Sequence, residues 1–166
     1  MNMAYPAIIA LGLTTSLFAA DRATKVDSFK VVELKADGGE LVRLLGLEVK
    51  KAKDLNLTAF VQFYSDDYKR CRTVRGYMTD RSMKDAFAGT YIIKIRADFR
   101  NDKPAARGLE EKGFAVQNAP LFVAIDQDGK PTGRSTSGVE LLRGDTTVQR
   151  IAGMLKQFFT ENAWRP

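Results

Sequence analysis

Residues 57–64 (LTAFVQFY) form an almost uninterrupted apolar and aromatic run in the middle of the chain. A strand with one solvated face alternates polar and apolar residues, whereas a run of this kind is typical of a strand buried on both faces of a sheet. Such a strand needs helices packed above and below it. The segment therefore predicts a layered α/β domain with this strand near the centre of the sheet.

The rest of the chain supplies the other elements. Apolar periodicity and turn residues predict further strands at 29–34, 91–97, 121–126 and 132–136. Helices are predicted at 40–55, from Asp66 or Asp67 as the cap to residue 77, at 81–87 behind Asp80, at 104–112 before Gly113, and from Asp145 onward. Because a hairpin occurs only near the end, this order predicts a mixed central sheet flanked by helices on both faces.

The first twenty residues (MNMAYPAIIALGLTTSLFAA) contain no charged side chain, whereas the residues that follow are strongly polar. An apolar run ending in small residues is typical of a secretory signal peptide, so we expect residues 1–20 to be one and the protein to be periplasmic or secreted. An uncleaved membrane anchor and a buried N-terminal helix are the alternatives. Residues 21–166 are predicted to form one domain, since no linker or repeat divides them.

The titratable residues exclude most catalytic arrangements. The chain has no histidine and a single cysteine, Cys71, which excludes His-assisted triads, cysteine zinc clusters and an intrachain disulfide. The aspartates are scattered over predicted caps and turns, so we expect neither a metal nor a cofactor. The formal net charge of +6 tolerates an anionic partner. No aromatic platform or phosphate loop accompanies the cations, and nucleic acid is not expected as a partner.

The segment 59–74 (AFVQFYSDDYKRCRTV) resembles the strand, loop and helix of thioredoxin-like proteins, in which W-C-x-x-C stands at a helix N-terminus. The C-terminal thioredoxin-like domain of DsbD-type thiol:disulfide interchange proteins is the most similar type, since Tyr64-Ser65-Asp66 and Thr79-Asp80-Arg81 match its flanking motifs. Residues 118–122 (NAPLF) resemble the cis-proline entry to a strand. The resemblance covers about residues 29–160 and implies a thioredoxin-like fold.

The departures from the family pattern fall on the reactive positions. Tyr68-Lys69-Arg70-Cys71 stands in place of C-x-x-C, so Tyr68 occupies the position of the exposed nucleophile and Cys71 that of the shielded cysteine. The buried acidic residue that the family places beneath the site corresponds to Gln62, which cannot titrate. One cysteine cannot complete a dithiol cycle, because a second thiol must resolve the mixed disulfide. The site is thus a degenerate copy.

Two expectations concern the chemistry of Cys71. The helix N-terminus and the cations Lys69, Arg70 and Arg72 would lower the pKa of the thiol, whereas burial would oppose them. The alternative to a reactive Cys71 is a small buried side chain that contributes only to packing.

The run of four cations from Lys69 to Arg75 is interpreted either as a contact for an acidic partner or as a solvated helix face.

The functional hypothesis is a redox-degenerate thioredoxin-like module that binds a protein or an extended peptide segment in the cell envelope. Tyr68, Lys69, Arg70, Ala119 and Pro120 are the candidate binding residues, since the resemblance implies a cis Ala119–Pro120 bond beside the loop. A membrane contact is expected only if residues 1–20 are not cleaved. The alternatives are a monothiol oxidoreductase or thiol sensor that uses Cys71, and a structural subunit of a complex.

Overall fold

A five-stranded sheet lies at the centre of the chain in a computed structural model, which describes residues 28–35, 40–97, 103–115, 119–144 and 146–164. The strands are β1 (Lys30–Leu34), β2 (Thr58–Tyr64), β3 (Thr90–Arg96), β4 (Leu121–Ile125) and β5 (Pro131–Ser137). The helices are α1 (Glu40–Asp54), α2 (Lys69–Tyr77), α3 (Arg81–Phe87), α4 (Lys103–Glu111), α5 (Gly138–Leu141) and α6 (Val148–Glu161).

The strand order in the sheet is β1-β3-β2-β4-β5. Strands β1, β3 and β2 run parallel, whereas β4 runs antiparallel to β2, and β5 runs antiparallel to β4. Helices connect β1 to β2 and β2 to β3, as parallel strands require, and a hairpin connects β4 to β5. The predicted mixed sheet is confirmed.

Helices cover both faces of the sheet, as the apolar run in β2 demands. Val61 and its face of β2 pack against α1 and α4, while Phe60 on the opposite face packs against α3 and α6. Both side chains are completely buried. The core on the Phe60 face is largely aromatic, because Phe159 of α6 contacts the rings of Phe60 and Phe87 at centroid distances of 4.8 and 5.1 Å. The prediction of a central strand buried on both faces is confirmed.

The next features are two predicted helix starts, at Asp80 and Asp145, and the position of the tryptophan near the C-terminus. The Asp80 side chain accepts a hydrogen bond from Ser82 N at 2.8 Å and caps α3, as predicted. Helix α6 begins at Val148, and the predicted starting residue Asp145 lies outside the described residues. Near the C-terminus, Trp164 packs on the core at the Val61 face of the sheet, and its Nε1 donates to the carbonyl of Ile125 at 2.7 Å. Trp164 is therefore part of the domain.

Helix α5 was not predicted. It is a single turn that begins after Ser137, whose hydroxyl accepts from Glu140 N, while the Glu140 carboxylate accepts from Ser137 N. This reciprocal pair is a capping box, and the S-x-x-E pattern of residues 137–140 was its signal in the sequence.

The expected signal peptide, residues 1–20, lies outside the described residues. Among the helices that the structure describes, none is long and apolar enough to cross a bilayer.

Candidate functional site

Cys71 lies in the first turn of α2 and is enclosed by its neighbours. Its side chain is 7% exposed and packs against Tyr64 and Ala119. The sulfur accepts a hydrogen bond from the backbone N–H of Ser65 at 3.4 Å. The end of β2, the start of α2 and the residue before Pro120 therefore surround the thiol.

Burial raises the pKa of the Cys71 thiol. The Ser65 N–H lowers it, as do the charges of Arg75 and Lys94, but these contributions do not outweigh the loss of hydration. The sequence predicted opposing effects of burial and of the cations Lys69, Arg70 and Arg72, and in the structure burial outweighs the cations. Those cations lie in solvent, where water screens them, and the enclosed sulfur is dominated by desolvation. At neutral pH Cys71 is a thiol, which is the unreactive form.

Two arginines of α2 hold the 65–68 loop against the helix. Arg72 Nη1 donates to the carbonyl oxygens of Asp66 and Asp67 at 3.0 and 2.9 Å, and Arg75 Nη1 lies 2.5 Å from Asp66 Oδ1. These contacts place two of the four clustered cations on the loop in front of Cys71. Their first role is to fix the protein's own backbone, since planar guanidinium groups suit such forked contacts.

The predicted cap of α2 was wrong. The helix begins at Lys69 with Tyr68 as its N-cap, and no side chain caps it. Asp66 is drawn to Arg75 instead, and Asp67 stands one residue too early to cap the first turn. The backbone N–H of Asp67 donates to the Ser65 hydroxyl at 3.3 Å, so the loop is stabilised from within.

Tyr68, Lys69 and Arg70, the other proposed binding residues of this segment, face solvent. Tyr68 is 49% exposed, so about half of the side chain is available for contact with a partner. Lys69 and Arg70 are exposed and make no side-chain hydrogen bond or ion pair with any residue that the structure describes. The structure therefore separates the segment into an exposed aromatic and cationic surface and an enclosed thiol.

Ala119 and Pro120 lie on the other side of Cys71. The Ala119–Pro120 peptide bond is cis, and Ala119 is buried against the cysteine. The Pro120 carbonyl accepts a hydrogen bond from Gly138 N at 2.6 Å. A Cβ atom at Gly138 would lie 2.6 Å from Pro120 Cδ, so only glycine fits against the proline ring. Gly138, which the sequence analysis missed, fixes Pro120.

A cavity of about 160 Å³ lies beneath α2 and includes Cys71 in its wall. Gln62 of β2 lines this cavity together with Cys71. Lys94 of β3 lines it as well, at the register position that pairs with Gln62. Lys94 could not be recognised in the sequence, because its neighbour Gln62 is set by sheet order and not by spacing along the chain.

Within the described part of the chain, no group of three or more Cys, Asp or Glu residues is placed to hold a metal ion. The site can therefore offer hydrogen bonds, an aromatic ring and surface cations, together with one shielded thiol.

The chain is similar to solved thioredoxin structures at low identity. The reduced thioredoxin pre-protein of Schistosoma mansoni is 18% identical, with a TM-score of 0.45, over 78% of this chain and 98% of that chain. The protein Trxlp of Edwardsiella tarda is 15% identical, with a TM-score of 0.45, over 76% of this chain and 98% of that chain. No family model and no curated relative matches the sequence.

The topology itself carries the fold assignment. A parallel β1-β3-β2 unit with crossover helices is extended by the antiparallel strands β4 and β5, and helices lie on both faces. The domain has a thioredoxin-like fold.

Proposed function

We propose that this protein is a redox-degenerate thioredoxin-like module that binds an extended segment of a partner protein and does not exchange disulfides. The observation that carries the proposal is the division of the site. The one thiol is enclosed and its pKa is raised, whereas the position beside it, at the helix N-terminus, presents the exposed ring of Tyr68.

The proposed absence of disulfide exchange follows from the enclosed thiol. Disulfide exchange needs a thiolate that can reach a sulfur atom of the substrate and a second thiol that resolves the product. Cys71 is 7% exposed, is hydrogen-bonded to Ser65 and has no second cysteine in the chain. Tyr68 at the first position cannot form a disulfide. The arrangement therefore supports binding without turnover.

The proposed binding surface combines Tyr68, Lys69 and Arg70 with the segment around Ala119 and Pro120. Aromatic and arginine side chains contribute most to protein interfaces, because they bury a large area and also donate hydrogen bonds. The cations favour a partner segment that carries acidic residues. With the signal peptide expected at residues 1–20, the proposed location of this partner is the cell envelope.

The test is recovery of a partner by the tagged protein from envelope extracts, followed by mass spectrometry. Cys71→Ser is expected to recover the same partner as the wild type, and Tyr68→Ser to lose it. Leu55→Ser is the matched control, because Leu55 is 50% exposed, like Tyr68 at 49%, and follows α1 in a different part of the chain. Loss of the partner in Cys71→Ser, with the fold intact, would refute the proposal.

One observation favours a second candidate, a monothiol oxidoreductase or thiol sensor. Cys71 lines the cavity beneath α2, so a small reagent that enters the cavity can reach the sulfur from that side. In that case Cys71→Ser abolishes the biological activity while partner binding persists. An activity untouched by Cys71→Ser excludes this candidate.

A further inference from the structure

The cavity beneath α2 is large enough to hold a small molecule. Its volume of about 160 Å³ is similar to that of protein cavities of about 150 Å³ that accept benzene. Val31 lies at its outer side on β1, the edge strand of the described sheet, and is 41% exposed, so among the described residues the cavity is reached from this side. The remaining apolar lining is contributed by Tyr64, Val74, Met78, Phe87 and Ile92.

A row of polar side chains crosses this otherwise apolar face of the sheet. Glu33 of β1 pairs in register with Lys94 of β3, which pairs in register with Gln62 of β2. Lys94 and Gln62 line the cavity directly. The row gives one wall of an apolar cavity the capacity to form hydrogen bonds.

The charged groups of the cavity are already compensated within the protein. Lys94 Nζ lies 3.9 Å from Glu33 Oε2 and 4.0 Å from the centre of the Tyr64 ring. At the other end, Arg75 is paired with Asp66 at 2.5 Å. An ionic ligand would lose hydration and find no unpaired opposite charge, so the cavity disfavours ions.

Gln62 is the uncharged polar side chain of the cavity that lacks a hydrogen-bond partner among the described residues. Its carboxamide makes no hydrogen bond with any residue that the structure describes, although it offers two N–H donors and an oxygen acceptor. A ligand carboxamide is complementary to it, because each amide can donate to the oxygen of the other. Such a pair restores hydrogen bonds that the partly buried side chain otherwise lacks.

We infer that the cavity is a binding site for a small uncharged molecule that joins a ring-sized apolar body to a carboxamide. The apolar body lies against Phe87, Ile92 and Met78, and the carboxamide pairs with Gln62. The inference is independent of the proposed partner, since it rests on the cavity and not on the exposed surface at Tyr68.

Benzamide is a suitable probe, with benzoate as its charged counterpart of the same size. Titration of the whole protein followed by two-dimensional NMR is expected to give saturable shifts with benzamide, and affinity for benzoate at least tenfold weaker. Gln62→Leu is expected to weaken benzamide binding about tenfold, because it removes the amide pair and keeps the apolar wall. Equal affinity for both probes, or unchanged benzamide affinity in Gln62→Leu, would overturn the inference.

A second variant separates loss of the site from loss of the fold. Val31→Trp places a large ring at the outer side of the cavity, and the exposed position of Val31 tolerates it. This variant is expected to abolish the benzamide shifts. Leu47→Trp is the matched control, because Leu47 is 44% exposed on α1, on the opposite face of the sheet. Retained benzamide binding in Val31→Trp would place the probe elsewhere and refute the site.

Discussion

Replacement of Arg72 by alanine is expected to expose the thiol of Cys71. Arg72 Nη1 holds the carbonyls of Asp66 and Asp67 at 3.0 and 2.9 Å, and these residues belong to the loop that covers the sulfur. A hydrogen bond contributes about 0.5–1.5 kcal/mol net, and exposure of the guanidinium argues for the lower part of that range. Loss of both bonds should therefore favour opening of the loop by about 1–2 kcal/mol.

The measurement is the rate at which fluorescein maleimide alkylates Cys71, followed by mass spectrometry. This reagent is too large to reach the sulfur through the cavity of about 160 Å³ beneath α2. When opening and closing are fast relative to alkylation, this rate follows the population of the open loop. Because about 1.4 kcal/mol corresponds to a factor of ten, the expected increase is about fivefold to thirtyfold. Because the unfolded chain lacks the same contacts, the melting temperature of the variant should fall by about 2–8 °C, and alkylation is measured well below it.

The matched control is Arg70→Ala, two residues away on the same helix. Arg70 is exposed and makes no side-chain hydrogen bond or ion pair with the described residues, so its loss should leave the alkylation rate within about twofold of the wild type. An Arg72→Ala rate equal to that of Arg70→Ala would show that the loop does not shield Cys71. The explanation of the unreactive thiol would then fail.

Three further predictions concern the cores and the thiol. Phe159→Ala should lower the free energy of unfolding by about 3–5 kcal/mol, and Phe158→Ala should lower it by less. The reason is that Phe159 is buried and Phe158 is only partly buried. Equal losses of the two variants in urea unfolding would contradict the packing described. Gly138→Ala should cost about 1–3 kcal/mol, since its Cβ would lie 2.6 Å from Pro120 Cδ, and an unchanged melting temperature would argue against that contact. The raised pKa of Cys71 means that the folded state keeps its proton longer, so stability falls as the pH rises past the unfolded thiol value of about 8.5. Cys71→Ser should lack this alkaline decline, as melting curves at pH about 7 and about 9.5 would show; identical declines would mean that Cys71 does not cause it.

The sequence predicted the layers of the fold because those depend on local patterns. The apolar run of β2 required cover on two faces, and the final helix showed one apolar face with Ile151 and Phe159, both of which are buried in the structure. Asp80 was identified as a cap because a cap depends only on the two or three residues that follow it.

The cap of α2 could not be predicted by the same rule. Asp66 and Asp67 precede the helix, but Arg72 and Arg75 compete for the loop from one and two turns away, and the helix starts at Lys69 without a side-chain cap. Contacts that become available only after the helix has formed therefore override the local capping propensity of Asp66 and Asp67.

The net direction of the Cys71 pKa shift could not be predicted from the sequence, for a related reason. Cations can be counted along a sequence, whereas desolvation depends on which residues enclose the sulfur, and these come from β2, α2 and the segment before β4. The polar row of Glu33, Lys94 and Gln62 also could not be predicted from the sequence, since it depends on β1, β3 and β2 lying side by side in one register.

Reduction of insulin by dithiothreitol tests most directly whether this domain lacks disulfide-exchange activity. The wild-type protein and Cys71→Ser are compared with dithiothreitol alone, at equal concentrations and neutral pH. We predict that neither protein accelerates the reaction, because the enclosed Cys71 remains protonated and has no resolving cysteine. Acceleration by the wild type that is lost in Cys71→Ser would contradict the account and make Cys71 a catalytic residue.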